Sequence, residues 1–118
     1  MKAENWRELI KGSCEKAGTY RPFFDPVIDI LASLMERRDN AEEKFEQSGG
    51  QTIVKHTNKA GAVNIVKNPA LAVVTDLERD ALAYWRDLGL TPAGYKRLNA
   101  DVVQEEKKSL EALLEKIT

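Results

Sequence analysis

Gln51-Thr52-Ile53-Val54-Lys55-His56-Thr57-Asn58-Lys59-Ala60-Gly61-Ala62-Val63-Asn64-Ile65-Val66-Lys67 is the stretch where the chain stops reading as helix. On either side, apolar residues recur every three or four positions. Here they fall in two short β-branched runs, 52–56 and 62–66, separated by the turn-forming Thr57-Asn58-Lys59-Ala60-Gly61. Gly61 supplies the positive-φ position that such a connection needs. The stretch predicts a β-hairpin of about residues 51–67, inserted between the second and third helices of a mainly α chain. A two-stranded hairpin is marginal in water by itself, so it is expected to pack on the helices or on a neighbouring subunit.

Working outward, Gly49-Gly50 ends the helix on one side and Asn68-Pro69 opens one on the other. Asn68 is a natural N-cap, and proline fits a first helical turn because its missing N–H has no partner there. The helix that follows, 69–88, repeats Leu71, Val74, Leu77, Ala81, Leu82, Trp85 and Leu88. That spacing predicts a buried Trp85 beside Leu82 and Leu88. Gly89 reads as its terminal cap, and Thr91-Pro92 restarts a short helix over 92–100. Asp101 with Gln104 resembles a capping box for a last helix, which carries Val103, Leu110, Leu113, Leu114 and Ile117 on one face.

Upstream, Trp6, Leu9, Ile10 and Cys14 mark a helix over 4–17 that Gly18 stops. A second helix starts near Phe23–Pro26 and runs to about Gln47, with Val27, Ile28, Leu31, Leu34, Met35 and Phe45 as its stripe. Its far half, 36–47, is rich in charge and reads as solvated. The expectation is about five helices with the hairpin between the second and third. Residues 1–100 would form the core unit, and 101–118 a C-terminal helix suited to oligomerisation.

Composition limits what such a chain does. With 118 residues, 42 % hydrophobic and 31 % charged, it is globular in type. A net charge of -1 excludes a uniformly basic coat for nucleic acid, so any DNA contact needs a local patch. The single Cys14 excludes an internal disulfide and a cysteine-based zinc site. No apolar run approaches the ~18 residues of a membrane span, and the first residues lack a signal-peptide core. The protein therefore reads as soluble and cytoplasmic.

Catalysis has little to stand on. His56 and Cys14 are the only residues of their types, and they fall on different elements. There is no phosphate-cradling glycine motif. Asp76 and Asp80 share a helix face, but such pairs are common on solvated helices. No cofactor and no metal is expected.

Charge is informative by segment. Lys55, Lys59 and Lys67 give residues 51–68 a charge of +3 with no acid, and Lys96 and Arg97 give 92–100 a charge of +2. Segments 36–47, 69–91 and 101–118 are each -2. These five cations are the candidate DNA-binding residues. Leu82 to Leu98 has the outline of a helix-turn-helix; the alternative is a helical corner in which Leu90, Tyr95 and Leu98 finish the core.

The run Lys67-Asn68-Pro69-Ala70-Leu71, followed by Ala83-Tyr84-Trp85-Arg86-Asp87-Leu88-Gly89-Leu90-Thr91-Pro92, resembles the C-terminal signature of small terminase subunits from tailed bacteriophages. Ala17-Gly18-Thr19-Tyr20-Arg21-Pro22-Phe23-Phe24 and His56-Thr57-Asn58-Lys59-Ala60-Gly61 are similar too, so the resemblance covers roughly residues 14–100. It implies a non-enzymatic DNA-packaging adaptor. Such an adaptor forms a ring-like homo-oligomer, binds double-stranded phage DNA, and recruits and regulates the large terminase subunit, which carries the ATPase and nuclease. It would work in the host cytoplasm, with no membrane partner. One departure stands out: residues 1–18 carry only +1 and form one helix, where many small terminases have a basic helix-turn-helix. The alternative function is a protein–protein module of phage assembly or regulation without DNA binding. For assembly, Val103, Leu110, Leu113, Leu114 and Ile117 are expected to meet the face around Phe24, Val27 and Leu31 of a neighbouring subunit, the competing arrangement being fold-back on the chain's own second helix.

Overall fold

A computed structural model describes residues 1–117, and the side chains of all of these except 101–103. The order is α1 (Ala3–Ala17), a 3-10 turn (Pro22–Phe24), α2 (Asp25–Gln47), β1 (Ile53–Thr57), β2 (Val63–Lys67), α3 (Pro69–Asp87) and α4 (Pro92–Ile117). The fold is mainly helical, with an antiparallel hairpin between α2 and α3, as the sequence predicts; its five helical elements include the 3-10 turn.

The core lies where α1, α2 and α3 meet. Ile10 and Cys14 of α1, Ile28, Leu31 and Ala32 of α2, Ala81 of α3 and the following Leu88 form one buried cluster. Trp85 is half-buried against it, less deeply than its spacing predicts, and meets the Trp6 ring edge-on with centroids 6.4 Å apart. Leu82 is exposed. It sits about 100° around the helix from Ala81, while Val74, Ala81 and Leu88 point inward.

The far half of α2 is less solvated than its charges suggest. Asp39 is partly covered and accepts from Trp6 Nε1 at 2.8 Å, from the Met1 ammonium at 2.9 Å and from Arg38 at 3.3 Å. Partial burial pushes the Asp39 carboxyl up, but these hydrogen bonds outweigh it and hold the group below the ordinary aspartate range. Arg38 reaches on to Glu42 at 2.6 Å and to Glu78 of α3 at 3.3 Å, so one guanidinium links the two long helices.

The end of the chain departs from expectation. No break occurs at 101: α4 is one helix of 26 residues, about 39 Å long at ~1.5 Å per residue. Asp101 and Gln104 lie inside it and open no new helix, because nothing after Gly94 interrupts the helical backbone. α4 packs on α3 only near its start, and residues 104–117 are all exposed. The molecule is consequently long, 84 × 27 × 18 Å, with a radius of gyration of 21.7 Å. A compact chain of this length would have about 13–14 Å.

Candidate DNA and assembly surfaces

The hairpin is built by its turn. Asn58 Oδ1 accepts from the backbone N–H groups of Ala60 and Ala62, and Gly61 takes φ +84°. Ile53 then pairs with Lys67, Lys55 with Ile65, and Thr57 with Val63. Opposed residues share a face, so Lys55 and Lys67 project from the same side, with Lys59 in the turn. Neither strand holds a buried residue, and only Val54 is half-covered. The expected packing of the hairpin along the helices is absent among the described residues; it is fastened at its root. There Asn68 caps α3 by accepting from Ala70 N–H, donates its side-chain amide to Gln51 O at 2.8 Å, and donates its backbone N–H to Thr52 O at 2.9 Å.

Lys96 and Arg97 are exposed on the first turns of α4. The turn before them is tightly made. Gly89 has φ +74°, and a Cβ there would sit 2.6 Å from Leu98 Cδ1 and 2.9 Å from Thr19 Cγ2. A Cβ at Gly94 would overlap the Arg86 carbonyl. Thr91 Oγ1 accepts from Gly94 N–H at 3.1 Å. Of the three residues expected to finish the core at a helical corner, Leu90 and Leu98 are half-buried, but Tyr95 is exposed and does not, because it falls on the outer face of the first turn of α4.

The five candidate cations do not form one patch. The hairpin stands at the start of α3 and Lys96 and Arg97 just past its end, and a 19-residue helix separates the two by roughly 28 Å. Each site also holds an arginine that segment charge did not reveal, accompanied by an aspartate lining the same cleft. Arg86 lines a cleft of about 220 Å³ with Arg97, Asp87 and Leu98. Arg79 shares a groove of about 540 Å³ with Lys67, Ile53 and Asp76 at the hairpin root. Both belong to an acidic segment, so only the helix packing discloses their position.

The apolar stripe of α4 faces outward: Leu110 is 61 %, Leu113 58 % and Ile117 75 % exposed, and Leu114 is exposed as well. Val103 lies outside the residues whose side chains are described. Among the described residues the stripe does not fold back on α2. Of the surface expected to receive it, Leu31 is fully buried and serves the core instead. The accessible groups are the half-buried Phe24 and Val27, and Phe23, 74 % exposed. Phe23 and Phe24 border a cleft of about 330 Å³ with Thr19, Leu98 and Glu105.

Cys14 is buried, which pushes its thiol up and away from reactivity. Asp76 pairs with Arg79 at 3.2 Å, and no group of three or more metal-ligating side chains converges among the described residues. Among them, too, no helix is long and apolar enough to cross a membrane.

Comparison with curated proteins and with solved structures gave no match. A family model described as phage terminase, small subunit, matches residues 3–105, from α1 through the hairpin and α3 to the middle of α4, and the chain belongs to that family.

Proposed function

We propose that this chain is the non-enzymatic adaptor of a phage DNA-packaging machine: it self-associates, binds double-stranded phage DNA, and recruits and regulates the large terminase subunit with its ATPase and nuclease. Family membership over residues 3–105 is the observation that carries the packaging role. The finer assignments draw on the surfaces. Lys55, Lys59 and Lys67 on the hairpin, with Lys96 and Arg97 on α4, meet DNA phosphates. Val103, Leu110, Leu113, Leu114 and Ile117 meet a neighbouring subunit at its Phe23–Phe24 cleft. Two different faces in contact make a head-to-tail interface, the kind that closes into a ring.

The test is binding to duplex DNA across a salt series. Each phosphate contact contributes about -0.9 to the slope of log affinity against log salt. Replacing Lys96 and Arg97 with alanine should weaken binding to every duplex and flatten that slope by about 2. An unchanged slope assigns both residues a structural role only. No binding at low salt by the assembled protein would favour a protein–protein module without DNA affinity.

A further inference from the structure

The hairpin is more than a carrier of charge. One face holds three cross-strand rows: Ile53 opposite Lys67, Lys55 opposite Ile65, and Thr57 opposite Val63. Lys55 and Lys67 therefore stand on different strands, one at each edge of the ribbon. Between them lie apolar side chains open to water, with Ile65 72 % exposed. An exposed apolar sheet face marks a partner surface. Three lysines without one acid over residues 51–68 select a polyanion as that partner.

The dimensions select a groove. Two strands about 4.8 Å apart, with their side chains, fit the ~12 Å major groove of B-DNA and overfill the ~6 Å minor groove. Phosphates wall that groove on both sides, as lysines edge both sides of the ribbon. Its floor carries thymine methyl groups, which suit Ile65 and Val63. The geometry points to the hairpin as a two-stranded ribbon that enters the major groove of duplex DNA, with Ile65 and Val63 against base edges and Lys55 and Lys67 on the opposing phosphate walls. This rests on the DNA-binding reading above and adds how the duplex is engaged.

The experiment is a competition on the full chain bound to a fluorescent duplex, with methyl green as the major-groove blocker and netropsin as the minor-groove blocker. Methyl green should displace the protein and netropsin should not. Ile65→Gln should lower affinity about fivefold with the salt slope unchanged. Lys55→Gln with Lys67→Gln should flatten the slope by about 2. Displacement by netropsin alone, or Ile65→Gln binding like the parent, would overturn the groove assignment and leave DNA binding intact. Hairpin substitutions that change the oligomeric mass but not DNA affinity would also overturn it, by showing a second copy on this face. No duplex binding by the unmodified chain at low salt would remove both readings together. The competition uses the unmodified protein, so it decides even if a substitution disturbs the hairpin.

Discussion

The side-chain amide of Asn68 donates to the carbonyl oxygen of Gln51 at 2.8 Å, so the residue that caps α3 also holds the entry of the hairpin. Its carboxamide oxygen serves the helix and its nitrogen serves the loop. The hairpin's direction is thereby tied to the axis of α3. Asn68→Ala should cost about 2 kcal/mol, from a lost cap and a lost buried hydrogen bond. Urea unfolding measures the loss, and amide exchange should show the strands opening before the helices.

The α3–α4 corner is a second fixed joint. Gly94→Ala places a methyl group on the Arg86 carbonyl, which is backbone and cannot swing aside. The substitution should destabilise by about 1–3 kcal/mol, the range for overpacking, or turn α4 away from α3. Thermal unfolding and small-angle scattering together distinguish the two responses. An unchanged melting temperature and unchanged dimensions would contradict the close approach.

Trp85 and Trp6 bring α3 and α1 together. Trp85→Ala should cost about 3 kcal/mol, a large part of the stability of a small domain. Trp6→Phe should cost less, because a smaller aromatic ring still meets Trp85 while the N–H bond to Asp39 and part of the indole packing are lost. Chemical denaturation of both variants checks the order.

Asp39 gives stability a pH dependence. Its carboxyl is held below the ordinary value near 3.8, so its contribution is complete above that value and lost as pH falls through the lower folded one. The unfolding midpoint should therefore hold from neutral pH down to about pH 5 and drop below about pH 4. In Asp39→Asn that drop should shrink, with lower stability at neutral pH. An equal drop in both proteins would place the acid sensitivity elsewhere.

Punctuation made most of the fold legible. Gly18, Gly49-Gly50, Asn68-Pro69 and Gly89 each mark a real boundary, and the change of period after Gln51 locates the hairpin. The end of the chain misled because Asp-x-x-Gln occurs inside helices as readily as at their starts. Only a break before the cap residue tells the two apart, and none lies between Gly94 and Asp101. The role of Asp39 was hidden because its partner Trp6 is 33 positions away. The candidate cations were visible by composition, but their separation into two sites, and the addition of Arg79 and Arg86, depend on the length of α3 and the tightness of its corner.

The central claim is that this chain assembles through α4, and native mass measurement tests it most directly. The full chain should run as a closed homo-oligomer. A chain lacking residues 103–118 should remain helical, since the anchoring contacts at Gly94 and Leu98 are kept, but fall to a monomer or dimer and lose its avidity for DNA. A truncated protein with unchanged subunit number, or a full chain that stays monomeric, would contradict the account.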